Sequence, residues 1–416
     1  MERIRKFPEL SDYEVVKDSI PTPNVCWCVK EDELEYNKLA KHDYSKDYLT
    51  FETIDDCKFK SSKSTYYSLD NGTTWTSLAS NTDSPTVSAG NKIMFKAEIT
   101  PQVYSGVGKF SSTGKFNAMG NVMSLLYGDN FIGQTSLSKI FTFYGMFFEC
   151  SKLTNAENLS LPATTLADYC YMDMFNGCTS LTTAPQLPAT TLTFQCYYYM
   201  FKGCTSLTTA LELPATTLAG YCYSYMFSGC TSLVTAPALP ATTLASNCYM
   251  DMFNGCTSLT TAPSLLATTL AYSCYSNMFR GCTSLQTAPA LLATTLANWC
   301  YNGMFGGCTS LTTAPALPAT TLANYCYYGM FQGCTSLTTA PELPAETLVD
   351  SCYYSMFSDC TSLNKFTIYA LTMSAFPSTA IKNCLSNVAS SGVFIQDRNS
   401  NWGSLVPNGW EIQYYD

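Results

Sequence analysis

The sequence predicts an α/β solenoid, in which each coil supplies one short parallel strand and one helix, preceded by a small all-β domain. Three observations support this. A Cys-Thr-Ser-Leu motif recurs every 26 residues from Cys178 to Cys360. Within each unit, apolar residues follow the helical period, and a proline-containing extended segment then leads to the next unit. Repetition at such a period is typical of solenoids, whose units bury their apolar faces only by stacking on neighbours.

Changes in composition divide the chain into four predicted parts. They are an attachment segment with a β-hairpin (1–45), a small β-sandwich-like domain (46–135), a solenoid of about nine coils (136–365) and a C-terminal cap (366–416). A degenerate unit around Met146, Phe147 and Cys150 precedes eight strict units, which we number one to eight by the cysteines from Cys178 to Cys360.

The helix prediction rests on an apolar stripe at i, i+3, i+4, i+7 and i+8. In the first strict unit, the stripe is Ala167, Cys170, Tyr171, Met174 and Phe175. Asn176-Gly177 then ends the helix, because glycine suits the left-handed position after a helix. Further helices are expected at Ser136–Phe148 and Ala380–Ala389.

Strands are expected on both sides of the solenoid. The candidates are Tyr48–Ile54, Cys57–Lys60, Thr65–Leu69, Thr73–Ser77, Lys92–Ile99, parts of Phe110–Met123, Phe366–Ala370, Gly392–Gln396 and Trp410–Tyr415. Asp70-Asn71-Gly72 has the turn chemistry to join two of them. The stretch from Ser68 to Trp75 resembles the Asp-box turn of sialidase-like propellers, a fold motif without catalytic residues.

Charge and cysteine usage exclude several classes of function. The formal net charge is −9 and the repeats are acidic, so a nucleic-acid partner is not expected. No apolar run is long enough to predict membrane insertion. No secretory signal is expected, because no apolar run follows the basic residues Arg3, Arg5 and Lys6.

Of the 21 cysteines, 17 follow the repeat, which predicts ladders of buried reduced thiols and no metal site. A catalytic triad is not expected, because His42 is the single histidine. We therefore predict no enzymatic activity and no cofactor.

The variable positions of the units predict a recognition surface. Each strict unit has five: two before Cys-Tyr, two after it and one after Met-Phe. Tyr, Ser, Asn, Asp and Gly fill 32 of these 40 positions, a composition close to that of antibody binding loops. The predicted ligand-binding residues are Tyr169, Phe194, Tyr198, Tyr199, Tyr221, Tyr225, Tyr272, Trp299, Tyr325, Tyr328 and Tyr354. The alternative is that several of these rings bury against the neighbouring coil.

A second candidate surface is the Thr-Thr pair of each unit, as at Thr208-Thr209. Adjacent residues of a strand point to opposite faces, so only one of the two is expected to be exposed. Strand propensity and cross-strand pairing explain these threonines without a ligand.

The motifs Met-Phe-x-Gly-Cys-Thr-Ser-Leu and Leu-Pro-Ala-Thr-Thr-Leu closely resemble the BspA-like branch of leucine-rich repeats, of the 26-residue class. That branch occurs on surface proteins of gut and oral bacteria, and the resemblance covers about residues 140–390. It implies a binding or adhesin role without enzymatic chemistry. The first 45 residues resemble short attachment segments on virion proteins of phages that infect gut Bacteroidetes, including crAss-like phages.

Together these features predict a structural or binding protein on a virion surface: a fibre, decoration or tail-associated protein. Its N-terminal region would contact other virion proteins, and its solenoid would bind a host surface glycan or protein. A homo-oligomer, a trimer by analogy with fibres, is expected. A bacterial cell-surface adhesin is the alternative, and an extracellular glycan-processing enzyme ranks last because no carboxylate pair stands out.

Overall fold

The computed structural model describes residues 27–30, 33–38, 42–371 and 376–415. The chain forms two compact units, 1–44 and 45–416. In the first unit, strands β1 and β2 pair antiparallel as a hairpin, with Trp27 opposite Lys38. Most of the predicted attachment segment lies outside the described residues. The predicted division of the rest of the chain at residues 135/136 and 365/366 stays a prediction.

The regular elements lie mainly at the two ends of the chain. The strands are β1 (Trp27–Lys30), β2 (Glu33–Lys38), β3 (Leu49–Thr53), β4 (Phe59–Ser61), β5 (Thr65–Ser68), β6 (Thr76–Leu78), β7 (Lys92–Lys96), β8 (Phe110–Ser112), β9 (Phe116–Asn121), β10 (Leu153–Asn155), β11 (Leu159–Ser160), β12 (Lys365–Thr367), β13 (Gly392–Gln396) and β14 (Trp410–Tyr414). The α-helix α1 spans Ser124–Tyr127, and short 3-10 helices span Tyr44–Lys46, Gly128–Asn130 and Gly403–Leu405.

A seven-stranded sheet begins the second unit, with the order β10-β9-β3-β7-β5-β6 and with β11 also on β9. The pair β4-β8 packs against it through aromatic rings, such as Phe51 and Phe59 at 5.2 Å between centroids. Strand β9 pairs antiparallel with β3 and parallel with β10 and β11. Because β10 and β11 belong to the degenerate unit, this sheet runs directly into the first coil of the solenoid.

The β5-β6 hairpin confirms the turn predicted at Asp70-Asn71-Gly72. The Asp70 carboxylate accepts hydrogen bonds from the Thr74 N–H (2.9 Å), the Thr74 hydroxyl (2.6 Å) and the Ser68 hydroxyl (2.7 Å). These donors, Thr74 first, lower the pKa of Asp70 to about 2. The carboxylate therefore serves the turn, as in an Asp-box.

The predicted helices of the solenoid are wrong. In place of each helix, the strict coils have a turn segment, defined in coil one as residues 166–178, that consists of consecutive tight turns. Its N–H groups alternate between two kinds of acceptor. The N–H of Met174 donates to the carbonyl of Tyr171 in its own coil, and the N–H of Phe175 donates to the carbonyl of Met200 in the next. Ser136–Phe148 and Ala380–Ala389 form turns of the same kind.

The apolar stripe indicated a helix because the turns repeat every four residues, close to the 3.6 of a helix. Pairs such as Cys170-Tyr171 and Met174-Phe175 are buried, and every fourth residue has a positive φ: Tyr169 at 58°, Asp173 at 58° and Gly177 at 76°. A right-handed helix excludes positive φ. The two structures therefore bury the same stripe with different backbones.

The predicted parallel strand of each coil is reduced to single bridges. Examples are Thr209 to Thr235, Thr235 to Thr261 and Thr261 to Thr287. A proline follows two residues after Thr235, Thr261 and Thr287, as Pro237 follows Thr235, while Leu211 holds that position after Thr209. Proline has no N–H for a ladder, so the pairing ends after one bridge.

Stacked side chains fill the interior. The tyrosines of the Cys-Tyr motifs form one buried ladder from Tyr171 to Tyr353, and the phenylalanines of Met-Phe form another from Phe147 to Phe357. In the middle of the solenoid, Tyr249 and Tyr275 stack at 5.8 Å, and Phe253 and Phe279 at 5.7 Å. Each coil therefore buries its apolar face only against its neighbours.

The C-terminal end closes with a parallel sheet of the order β12-β13-β14. Strands β13 and β14 lie where the sequence predicted them, whereas β12 ends at Thr367, three residues before the predicted end at Ala370. Phe366 and Phe394 pack together at 5.2 Å between centroids. Among the described residues, no helix is long and apolar enough to cross a membrane.

Candidate binding surface

The eleven predicted ligand-binding residues all lie on the turn segments. Phe194 and Tyr272 are the most open, with 37% and 49% of their surface exposed. The other nine are half-buried, and none is fully buried. They contrast with the tyrosine ladder beneath them, whose members are at most 2% exposed. We call these eleven residues the aromatic surface.

Six of the eleven form the N-terminal aromatic cluster, on coils one to three. Its members are Tyr169, Phe194, Tyr198, Tyr199, Tyr221 and Tyr225. Phe194 meets Tyr169 and Tyr221 edge to face, at 5.5 and 5.8 Å between centroids. Tyr199 contacts Tyr198 at 4.0 Å and Tyr225 at 4.9 Å. The cluster is continuous across the three coils.

Four others form the C-terminal aromatic cluster, on coils six to eight. Trp299 and Tyr325 stack in parallel at 4.1 Å, and Tyr328 and Tyr354 stack at 4.9 Å. Trp299 and Tyr328 are 6.1 Å apart, which joins the two pairs. Among the described rings, Tyr272 contacts neither cluster. The sequence predicted one surface, and the structure divides it into two clusters.

A polar strip on coils four and five separates the clusters. Asp251, with only 4% of its surface exposed, accepts a hydrogen bond of 2.6 Å from the Asn254 amide. Burial raises the pKa of Asp251, while hydrogen bonds from Asn254, Tyr225 and Asn277 act in the opposite direction. This carboxylate therefore faces partners within the protein.

Two tyrosines of the N-terminal aromatic cluster, Tyr198 and Tyr225, are held in the neutral phenol form. Burial, and then a hydrogen bond with Tyr199, raise the pKa of Tyr198. Burial, and then the charge of Asp251, raise that of Tyr225. The Lys202 ammonium lies over the Tyr199 ring, 4.4 Å from its centroid, and supplies the cation of the cluster.

Six residues of the aromatic surface occupy left-handed backbone positions. They are Tyr169, Tyr199, Tyr221, Tyr225, Trp299 and Tyr325, with φ between 55° and 63°. Equivalent positions in other coils hold Asp173, Asn247, Asp251, Asn277, Gly303 and Gly329, types that tolerate this conformation, and also Gln195, Ser273, Ser351 and Ser355. Sequence reasoning missed this feature. Its signal was the recurrence of Gly, Asn and Asp every four residues.

The second candidate surface differs from its prediction. Both threonines of Thr208-Thr209, Thr260-Thr261, Thr312-Thr313 and Thr338-Thr339 are exposed, so the expectation of a single exposed rank is wrong. Alternation between faces requires a continuous pleated strand. Here each coil makes an isolated bridge, and both side chains reach the surface.

The cysteines are structural. Those whose side chains the structure describes are buried free thiols. In each strict coil, the second thiol donates to the phenylalanine carbonyl of the preceding coil, as Cys204 does to Phe175 at 3.2 Å and Cys230 to Phe201 at 3.1 Å. Burial raises the pKa of Cys222, Cys230 and Cys274 to about 12. A nucleophilic cysteine needs the opposite shift.

Within the described part of the chain, no three His, Cys, Asp or Glu side chains converge as metal ligands would. The coils, the stacked ladders and the surface on the turn segments together define a solenoid repeat protein with a laterally displayed side-chain surface.

The model of the family "BspA type Leucine rich repeat region" matches residues 145–286 and 249–388, with six copies. These matches cover more than half of the chain, which therefore belongs to the BspA-type leucine-rich repeat family. No curated protein matches the chain. Membership of this family indicates a surface or binding protein.

Proposed function

We propose that this chain is a non-enzymatic binding protein that presents the aromatic surface to a glycan or protein on a host cell. The observation that carries the proposal is the set of six aromatic residues at left-handed backbone positions. Bulky residues adopt this conformation only at a cost in stability, and such strain clusters at functional sites. Asparagine or glycine would serve the backbone better, so stability alone does not account for the rings.

The composition of the surface supports the same proposal. Tyrosine gives large contacts with little loss of side-chain entropy, while serine, glycine and asparagine adapt their hydrogen bonds to a partner. Most of the rings are half-buried, and all but Tyr272 are held by ring contacts within a cluster, so they are ordered before a ligand arrives. Such pre-organisation reduces the entropic cost of binding.

The test is retention of the labelled full-length chain on a panel of intact bacterial cells. We expect the triple variant Tyr198→Ser, Tyr199→Ser, Tyr225→Ser to lose most of this retention, because it removes the centre of the N-terminal aromatic cluster. Thr312→Ser, on the exposed threonine rank, is the matched control and should bind like the wild type. Equal retention of the triple variant and the control would exclude the aromatic surface as the binding site.

We also propose that the chain forms a homo-oligomer and that its N-terminal region attaches it to a larger particle or cell that displays it. In one setting the chain is a fibre, decoration or tail-associated protein of a phage virion. In the other it is an adhesin on the surface of a bacterium. Family membership supports surface display in either setting. Mass spectrometry of purified virions and protease shaving of intact cells would separate the two, since the chain should appear in only one of them.

A further inference from the structure

We propose that the aromatic surface binds a neutral, linear polysaccharide that lies along the solenoid axis and contacts both aromatic clusters. This inference rests on the proposed function and specifies its ligand. Both clusters occupy the same positions of the repeat, so they face the same side of the solenoid. From Tyr198 on coil two to Tyr354 on coil eight the surface extends over six coil spacings, about 29 Å at 4.8 Å per coil. A single sugar is too short to reach both clusters.

The polar strip suits the hydroxyl groups of such a chain. Exposed amides flank the stacked pair of the C-terminal aromatic cluster, with Asn298 beside Trp299 and Asn324 beside Tyr325. On the strip itself, Ser246 is exposed, whereas Ser276 is buried and its hydroxyl accepts a hydrogen bond of 3.0 Å from the Asn302 amide of coil six. Amides and hydroxyls both donate and accept hydrogen bonds, as sugar hydroxyls do.

The charges at the variable positions favour a neutral ligand over an acidic one, because the aspartates accept hydrogen bonds within the protein and outnumber the cations. The buried Asp173 carboxylate accepts a hydrogen bond of 2.7 Å from Asn176, and Lys202 lies over the Tyr199 ring. Asp251 accepts hydrogen bonds from Asn254 and Tyr225. The variable positions carry four aspartates against two cations, Lys202 and the exposed Arg280, so an acidic polysaccharide would meet a surface with a net negative charge.

Small residues leave room beside the stacked rings. The positions equivalent to Trp299 and Tyr325 hold Ser273 in coil five and Ser351 in coil eight. No aromatic ring at the equivalent position of coil five or coil eight therefore covers the outer faces of the Trp299–Tyr325 pair. Apolar ring faces beside hydrogen-bonding groups match the two kinds of surface that a sugar unit presents.

The shape of the surface fits a chain better than a protein or a small molecule. Protein interfaces of standard size bury about 800 Å² per partner around a compact apolar core. Here a polar strip divides the clusters, and the variable positions contain no Leu, Ile or Val. Two clefts of about 350 and 180 Å³ lie near the N-terminal sheet and α1, one beside Ser68 and the other beside Leu126, not on the turn segments of the strict coils.

The first experiment uses cells that retain the wild-type chain and compares this retention after treatment of the cells with periodate and after treatment with protease. Periodate cleaves vicinal diols and should abolish retention, whereas protease treatment of the cells should leave it unchanged. Loss after protease together with retention after periodate would overturn the inference in favour of a protein ligand, while the proposed function would stand. If the untreated cells retain no chain, the proposed function itself fails.

The second experiment measures affinity against ligand length. Neutral polysaccharide is prepared from the cells that retain the chain and is cleaved into oligosaccharides of two to about eight sugar units. The affinity of the chain should rise at least about tenfold with oligosaccharide length and then level off, because only longer oligosaccharides reach the second cluster. Tyr225→Asn and Trp299→Asn should each reduce the affinity of the long chain to about that of a short one. Thr312→Ser should change nothing. Affinity that is independent of length would overturn the inference.

Deleting Thr243–Thr268 removes one 26-residue unit between the clusters and keeps the Ala-Thr-Thr-Leu junction. The length at which affinity levels off should then decrease by about one coil spacing, about 4.8 Å. A plateau at the same length as in the wild type would show that ligand does not bridge the clusters.

Discussion

The tyrosines at positive φ pose an energetic question at the scale of single residues. A left-handed conformation costs a residue with a β-carbon about 1–2 kcal/mol. A favourable ring pair returns about 0.5–1.5 kcal/mol beyond its buried area. For Tyr225, which has φ 57° and lies 4.9 Å from Tyr199, the two terms nearly cancel. The ring therefore adds little stability and remains available for binding.

We expect Tyr225→Asn to change the free energy of unfolding by less than about 1 kcal/mol, because relief of backbone strain offsets the lost ring contacts. Tyr223, two residues earlier, is 1% exposed within the buried ladder, and Tyr223→Ala should cost about 3–5 kcal/mol. Urea denaturation of both variants measures the difference. Equal destabilisation would mean that Tyr225 is a core residue.

The turn segment is the element that sets the spacing of the surface. Its glycines stack along the solenoid: Gly255 has φ 75°, and a β-carbon there would lie 3.8 Å from the α-carbon of Gly229. That distance is an ordinary contact, so only the dihedral angle requires glycine. In the degenerate and last strict coils, the same position is held by Glu149 and Asp359, also at positive φ.

Gly255→Ala should therefore lower the free energy of unfolding by about 1–2 kcal/mol through strain alone. Gly306→Ala is the matched control, because Gly306 lies in a turn segment without positive φ. A β-carbon there would lie 3.1 Å from the flexible Arg280 side chain and 3.3 Å from the Gly303 carbonyl oxygen. We expect the control to change the free energy of unfolding by less than about 1 kcal/mol, because the lower entropy of the unfolded chain offsets the tight contact with the Gly303 carbonyl. Thermal unfolding of both variants is the measurement, and identical losses would contradict the dihedral explanation.

At the scale of the whole molecule, the buried thiols act together. Burial raises their pKa from an ordinary value of 9.0, to about 12 for Cys222, Cys230 and Cys274. The unfolded chain therefore loses these protons at lower pH than the folded chain. The contribution of the buried, protonated thiols to the free energy of unfolding is complete below pH 9 and decreases as the pH rises towards 12.

We expect the free energy of unfolding to fall steeply above pH 9, by up to about 1.4 kcal/mol per pH unit for each buried thiol. With two thiols in each strict coil, base should unfold the solenoid within a narrow pH interval. Urea titrations in reductant at a series of pH values from neutral to alkaline measure the slope. A free energy that stays constant between pH 8 and pH 10 would contradict the buried, protonated ladders.

The repeat period, the buried stripe and the strands of the cap could be predicted because burial leaves a direct pattern in the sequence. Gly392–Gln396, for example, is both the predicted strand and β13. The backbone beneath the stripe could not be predicted from the apolar residues alone, because a four-residue turn and a helix bury similar positions. The recurrent Gly, Asn and Asp carried the missing information.

The aromatic surface was predicted residue by residue, but its division was not. Composition identifies Tyr198 and Trp299 as variable and aromatic without showing which rings meet. Ring contacts depend on the neighbouring coil, so they depend on the register of the stack. Only the structure gives that register, through bonds such as that from the Phe175 N–H to the Met200 carbonyl.

Those bonds between coils also determine how the chain responds to force. They point from each coil to the next, so a pull that separates the two ends loads them in tension, one coil at a time. Each coil that peels away would release about 26 residues, or roughly 90 Å of extended chain. A chain attached through its N-terminal region and bound to a cell through its turn segments would thus yield in equal steps of one coil each, beginning with the coils between the two attachment points.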